Sequence, residues 1–353
     1  MISKLARLLG TLDLEGVGIP RWSDVVTLDG GARLPVVLPI RGNYLWNWGF
    51  NALVLDRRGA PRYFCKCRPP SPEVQRTTRL RVLLSHDPVV RGIVPLTWSG
   101  GDAHVHLDVS PFLPGRLYDV VLPSLGRAAW GTTLVAILDA NDRLARRAPE
   151  VMPELAGAPR VGFRAEAESR LDRLAAVGFA AGDVALLGAL LDAGGDVPAR
   201  PQHVDLWARN VIEGEAGQWC VLDFDIYGDV RVPLYDACHL VCTSTARRAE
   251  AAHAAPRAWV DRLADGEDLV REGVAALRWA IDREQLDGAA SGSALTYYLI
   301  ENAVRLYERG AERQYWELAM EEVHRLVAHV RAGRKPESLI ARAAAGVSPG
   351  RRS

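Results

Sequence analysis

The first third of the chain reads as short runs of apolar and strand-forming residues set between turn-rich pieces. This predicts strands at Leu34–Ile40, Ala52–Leu55, Tyr63–Cys67, Ile93–Trp98 and Ala103–Val109. Turn-forming pieces such as Asp56-Arg57-Arg58-Gly59 separate them. One helix interrupts the series, from Pro72 to about Leu84, with Ser71 as N-cap and proline at the first helical position. After Pro114-Gly115 the period becomes that of an amphipathic helix. Helices are predicted near Ala128–Ala145, Arg164–Val177, Asp183–Ala193, Glu267–Ile281, Ala294–Arg309 and Ala311–Val330. A strand pair breaks this run, Asn210–Ile212 and Cys220–Asp223, joined by the turn Glu213-Gly214-Glu215-Ala216-Gly217.

The change of texture predicts an α+β chain in two lobes. A small β-rich lobe spans 1–109, with a short helical extension at its start. A larger, mainly helical lobe spans 110–340, and residues 341–353 read as a flexible tail. A chain of 353 residues is long enough for two such cores. The 43 basic and 43 acidic residues balance, which argues against a nucleic-acid partner. No apolar run approaches the ~20 residues that span a bilayer, and the N-terminal segment lacks the apolar core and cleavage site of a secretory signal. Cys65, Cys67, Cys220, Cys238 and Cys242 form no disulfide framework. A cytoplasmic monomer or homodimer is the expectation.

The segment His203-Val204-Asp205-Leu206-Trp207-Ala208-Arg209-Asn210, followed by Val221-Leu222-Asp223-Phe224-Asp225, carries the candidate chemistry. An acid and an amide lie five positions apart in a loop, and a second carboxylate follows one hairpin later. Asn210 and Asp223 supply hard oxygens suited to magnesium, which leaves Asp205 to accept a hydroxyl proton. Lysine is nearly absent from the chain, occurring at Lys4, Lys66 and Lys335 alone. Lys66 sits in the apolar strand Tyr63-Phe64-Cys65-Lys66-Cys67, pointing opposite to the two cysteines. A lysine retained there fits a phosphate-gripping role. No Gly-Lys pair, HExxH or GxGxxG is present, which sets aside P-loop, zincin and Rossmann chemistry. His104 with His106, and Cys238, His239 and Cys242, lack the second pair that a zinc site needs and read as packing.

The pattern His-x-Asp-x-x-x-x-Asn followed by Asp-Phe-x resembles the catalytic and metal-binding loops of the protein-kinase-like fold. With Leu206-Trp207 and Pro233-Leu234-Tyr235-Asp236, it is most similar to the aminoglycoside phosphotransferase and choline-kinase-like family. The resemblance implies a two-lobed enzyme that transfers the γ-phosphoryl group of ATP or GTP, with magnesium, to a hydroxyl of a small molecule. Its implied roles are Asp205 as catalytic base, Asn210 and Asp223 as metal ligands, and His203 and Asp236 as structural braces. Asp225, where protein kinases carry glycine, would serve a second metal or the substrate. Lys66 would grip the phosphates and be held by Glu73, while adenine would meet the main chain at Asp108 and Val109. The segment Gly42–Asn51, with Trp46 and Trp48, stands where the family's phosphate-covering loop lies. Val204 and Ala208-Arg209 depart from the glycine and Pro-Gly that the family commonly carries. A catalytically inactive nucleotide-binding scaffold and a protein kinase are the rival readings; the intact polar set opposes the first and the lack of an Ala-Pro-Glu activation segment the second.

Overall fold

The computed structural model describes residues 36–40, 50–55, 59–96, 98–101, 106–157, 159–214 and 217–345. The candidate phosphate loop around Trp46 and Trp48, His104, the predicted N-terminal extension and residues 346–353 lie outside them.

The chain forms two compact units, residues 1–115 with 212–225, and residues 116–211 with 226–353. The boundary lies at 115 rather than 109 because the strand expected to end at Val109 runs on to Pro111. The first unit is also discontinuous. The hairpin of Val211–Glu213 and Trp219–Val221 folds onto it, which strand periodicity alone could not reveal.

In the first unit, β1 (Val36–Ile40), β2 (Phe50–Leu55), β3 (Pro61–Arg68), β4 (Trp98–Gly101) and β5 (His106–Pro111) make an antiparallel sheet in the order β1-β2-β3-β5-β4. Cross-strand partners share a face, so the register sorts the side chains by chemistry. Ala52, Cys65 and Val109 line up in a fully buried apolar row. The row beside it is polar from β2 to β4, through Asn51, Lys66, Asp108 and Ser99. Helix α1 (Pro72–His86) starts where predicted, with the Ser71 hydroxyl accepting from Val74 N–H at 3.1 Å. It buries Leu80 and Leu84, each worth roughly 1.5–3 kcal/mol.

The strand predicted at Ile93–Trp98 begins only at Trp98. Pro95 removes a ladder donor from this stretch. Ile93 and Val94 are buried nonetheless, and the Ile93 carbonyl accepts from Val221 N–H at 2.9 Å instead.

The second unit is built on helices. Its long early helix α3 (Arg127–Val151), which follows the single turn α2 (Tyr118–Val121), buries Trp130, Leu134, Ile137 and Leu138. Helices α4 (Phe163–Ala176) and α5 (Ala181–Asp192) match their predicted ranges within two residues. Helix α6 (Tyr235–Ala251) follows the candidate metal segment, and α7 (Trp259–Asp265) and α8 (Arg271–Glu284) come next. The centre is α9 (Gly288–Glu308), buried along most of its length and packed by α4, α5, α6, α10 (Arg313–Arg331) and α11 (Pro336–Ala345). It starts six residues earlier than predicted, because Asp287 caps Ala290 N–H and the small residues Gly288–Ser293 fit a crowded neighbourhood. The expected tail from 341 is helical to Ala345, anchored by the buried Leu339 and Ile340.

Candidate active site

The loop 203–210 lies wholly in the second unit and is shaped by Asp236 at the start of α6. The buried Asp236 carboxylate accepts from the main-chain N–H of His203 at 2.6 Å and of Val204 at 2.8 Å, and from Asn141 Nδ2 at 2.9 Å. Its own N–H donates to Gln202 Oε1 at 3.1 Å. Val204 takes φ +72°, a left-handed conformation that costs a β-branched residue on the order of 1–3 kcal/mol. That is the position where the resembled family uses glycine, and the hydrogen bond from its N–H to Asp236 offsets the strain here. His203 is fully buried and meets the Tyr227 ring edge-on at 6.1 Å between centroids, consistent with a bracing role.

Asn210 closes the loop on itself. Its Nδ2 donates to the Asp205 carboxylate at 2.8 Å and to the Asp205 carbonyl at 2.9 Å. These two bonds fix the amide, so its Oδ1, the hard donor that magnesium prefers, turns away from Asp205. Arg209 is exposed; it stacks on Trp207 and pairs with Asp119 at 3.4 Å.

The first unit holds the other predicted residues. The Lys66 ammonium donates to Asp223 at 2.8 Å and to Asp225 at 2.6 Å, across more than 150 residues of sequence. Asp223 adopts φ +59°, a conformation that a short acidic side chain tolerates better than most. Both Asp225 oxygens are engaged by cations, one by Lys66 and the other by Arg68.

Two expected contacts take a different form. Glu73 is exposed in the first turn of α1, and the described carboxylates paired with Lys66 are Asp223 and Asp225. The resemblance puts the acid on the following helix, where Glu73 is the only glutamate, whereas the hairpin brings its acids from far along the chain. Asp108 and Val109 stand in mid-strand between β3 and β4, so their main-chain groups belong to the sheet rather than to an open hinge. The Asp108 side chain is also spent. It accepts from Arg68 at 2.5 Å, Arg81 at 2.8 Å and Ser99 at 2.5 Å, and lies 3.1 Å from His106 Nε2. Burial pushes its carboxyl up, but the His106 hydrogen bond and the Arg81 and Arg68 charges outweigh that and hold it well below the usual range.

Sequence reasoning missed Arg68 and Arg81. The signal was present: Arg68 is two residues beyond Lys66 on the same strand face, and Arg81 lies three or four residues from the buried Thr77, Thr78 and Leu84 of α1. It also passed over Gly346-Val347-Ser348-Pro349-Gly350, which has nucleophile-elbow spacing but follows a helix instead of a strand and lies outside the described residues. Cys238 is buried and its thiol is pushed up to about 12 by that burial, so it is inert packing. Of the aromatic and acidic residues on the late helices, Tyr297, Tyr298 and Glu301 are buried, and Glu301 pairs with Arg170 at 2.7 Å and Arg305 at 2.6 Å.

No family model and no curated protein matches the sequence. Solved structures do. A choline kinase from Cryptosporidium parvum Iowa II aligns over 97% of this chain and 100% of its own, with TM-score 0.53 and 10% identity. A GDP complex of an aminoglycoside 2'-phosphotransferase variant covers 91% and 98%, with TM-score 0.52 and 12% identity. A macrolide 2'-phosphotransferase from Brachybacterium faecium covers 84% and 94%, with TM-score 0.50 and 14% identity. The chain has the protein-kinase-like fold. Its form is the α+β, two-lobed one that these small-molecule kinases share. Within that kinase-like fold, β3 carries Lys66, the 203–210 loop carries Asp205 and Asn210, and the residues after the hairpin carry Asp223. Among the described residues no helix is long and apolar enough to cross a membrane.

Proposed function

We infer that the chain is a magnesium-dependent O-phosphotransferase, moving the γ-phosphoryl group of ATP or GTP to a hydroxyl of a small molecule such as a sugar, aminoglycoside or amino alcohol. The observation that carries this reading is the pair formed by Lys66 and Asp223, one cation and one metal-type acid, 2.8 Å apart in the nucleotide-type unit. Lys66 offsets phosphate charge, and Asp223 in the first unit and Asn210 Oδ1 in the second each offer the kind of hard oxygen that magnesium prefers. The ion, when bound, neutralises charge on the phosphates. Asp205, oriented by Asn210, receives the proton of the acceptor hydroxyl as that oxygen bonds to phosphorus and the bridging bond to the nucleoside diphosphate breaks. Positioning and charge neutralisation do most of this work, so few groups are needed. Five free cysteines and the use of a nucleoside triphosphate are consistent with a cytoplasmic setting under this reading.

The test is nucleotide consumption with magnesium across panels of amino alcohols, sugars, aminoglycosides and macrolides. Turnover on one panel and its loss in Asp205→Asn support the reading. Nucleotide binding without turnover on any panel would favour an inactive scaffold, and phosphorylation of proteins alone would favour a protein kinase.

A further inference from the structure

In the resembled family the strand lysine is steadied by an acid on the helix that follows it. Helix α1 offers only the exposed Glu73, and it turns an arginine toward the sheet. Arg81 is 11% exposed, lies 2.8 Å from Asp108, and stands over the Phe224 ring at 6.0 Å. From there the charges alternate. Arg81 holds Asp108, Asp108 holds Arg68, Arg68 holds Asp225, and Asp225 holds Lys66, which also reaches Asp223. Three cations face three carboxylates, so the cluster is neutral. Arg68 is the pivot, since its planar fork reaches two acids at once through Nη1 and Nη2, which lysine cannot reproduce.

We propose that Asp225 is a positioning residue: gripped by Arg68, it fixes Lys66 and the Asp223-Phe224-Asp225 segment from the sheet side, taking over the task of a helix acid. Nucleotide draws Lys66 to the phosphates and Asp223 to the metal, while Asp225 stays on Arg68 and keeps both within reach. Asp225 is thereby assigned to the cations of β3 in preference to a second metal. Its effect on nucleotide binding rests on the phosphotransfer reading; the clamp itself does not.

The chain's scarcity of lysine makes the clamp measurable without turnover. An ammonium held between two carboxylates acylates slowly, and removal of one partner exposes it. A brief acetic anhydride pulse on the full chain without nucleotide, read by peptide mass spectrometry, reports Lys66 with Lys4 and Lys335 as internal standards. Asp225→Asn is expected to raise Lys66 acetylation about 5-fold relative to those standards, with little change in melting temperature because Asp225 is surface-accessible. Arg68→Gln is expected to do the same, and Arg68→Lys to restore part of the protection. Magnesium-nucleotide affinity measured by calorimetry should weaken about 10-fold in Asp225→Asn. Lys66 acetylation unchanged in Asp225→Asn would overturn the clamp. If the wild-type chain bound no nucleotide, the phosphotransfer reading would fail while the acetylation result still decided the clamp.

Discussion

Replacing Asp236 by asparagine tests how the 203–210 loop is held. The wild-type carboxylate accepts three hydrogen bonds, from His203 N–H, Val204 N–H and Asn141 Nδ2, at 2.6, 2.8 and 2.9 Å. An amide of the same size keeps one acceptor oxygen and aims its NH2 group at a donor. With the amide oxygen at the Oδ2 position, the bonds from His203 N–H and Asn141 Nδ2 are kept and the one from Val204 N–H is lost, so the change costs roughly 1.5–3 kcal/mol. Part of this appears as release of Val204, whose left-handed backbone is no longer supported. For a unit of this size each kcal/mol lowers the melting temperature by roughly 2–4 °C, so Asp236→Asn should melt roughly 3–12 °C below wild type. Scanning calorimetry reads the shift, and guanidinium titration shows whether the midpoint falls at constant slope. A drop below about 2 °C with an unchanged slope would refute the claim that this carboxylate sets the loop.

Other consequences follow from the same coordinates. Asp205→Asn should lower turnover at least ~100-fold while nucleotide affinity by calorimetry changes little, since the group meets the acceptor; equal turnover would remove Asp205 from the mechanism. Glu322 reaches from α10 to cap α7, accepting from Trp259 N–H at 2.6 Å and Val260 N–H at 2.9 Å, so Glu322→Ala should cost about 1–2 kcal/mol in a denaturant midpoint. Asp108 has a folded pKa far below its unfolded value of about 3.9. The stability it contributes is therefore complete above that value and lost as pH falls through and beneath it. Melting temperature should drop on acidification from about pH 4, and less steeply in Asp108→Asn; parallel curves would show that the arginine cluster is not coupled to folding.

The parts legible in the sequence were those set by period and by local chemistry. The strand holding Lys66, the helix capped by Ser71 and the hairpin before Asp223 each declare themselves within a dozen residues. The pairing of Lys66 with Asp223 comes from the packing of the sheet and hairpin in one unit. What escaped was non-local. Nothing near Arg68 or Arg81 in sequence shows that Asp108 lies between them, because that depends on strand register and on the face α1 presents. The resemblance leaves Glu73 as the helix acid for Lys66, but Lys66 meets acids that the hairpin delivers from more than 150 residues away. The strand expected at Ile93 does not form for a related reason: Ile93 and Val94 are buried, but Ile93 bonds to the hairpin, and Pro95 keeps the stretch out of the ladder.

Thermal melting of wild type and Asp223→Ala with saturating ATP, each with and without magnesium, tests the central claim most directly. Ligand at 100 times its Kd adds about 2.7 kcal/mol to the native state, which is roughly 5–10 °C here. The account predicts that gain for wild type with magnesium, and loss of its magnesium-dependent part in Asp223→Ala. Wild type unmoved by magnesium nucleotide, or an Asp223→Ala variant stabilised just as strongly, would contradict it.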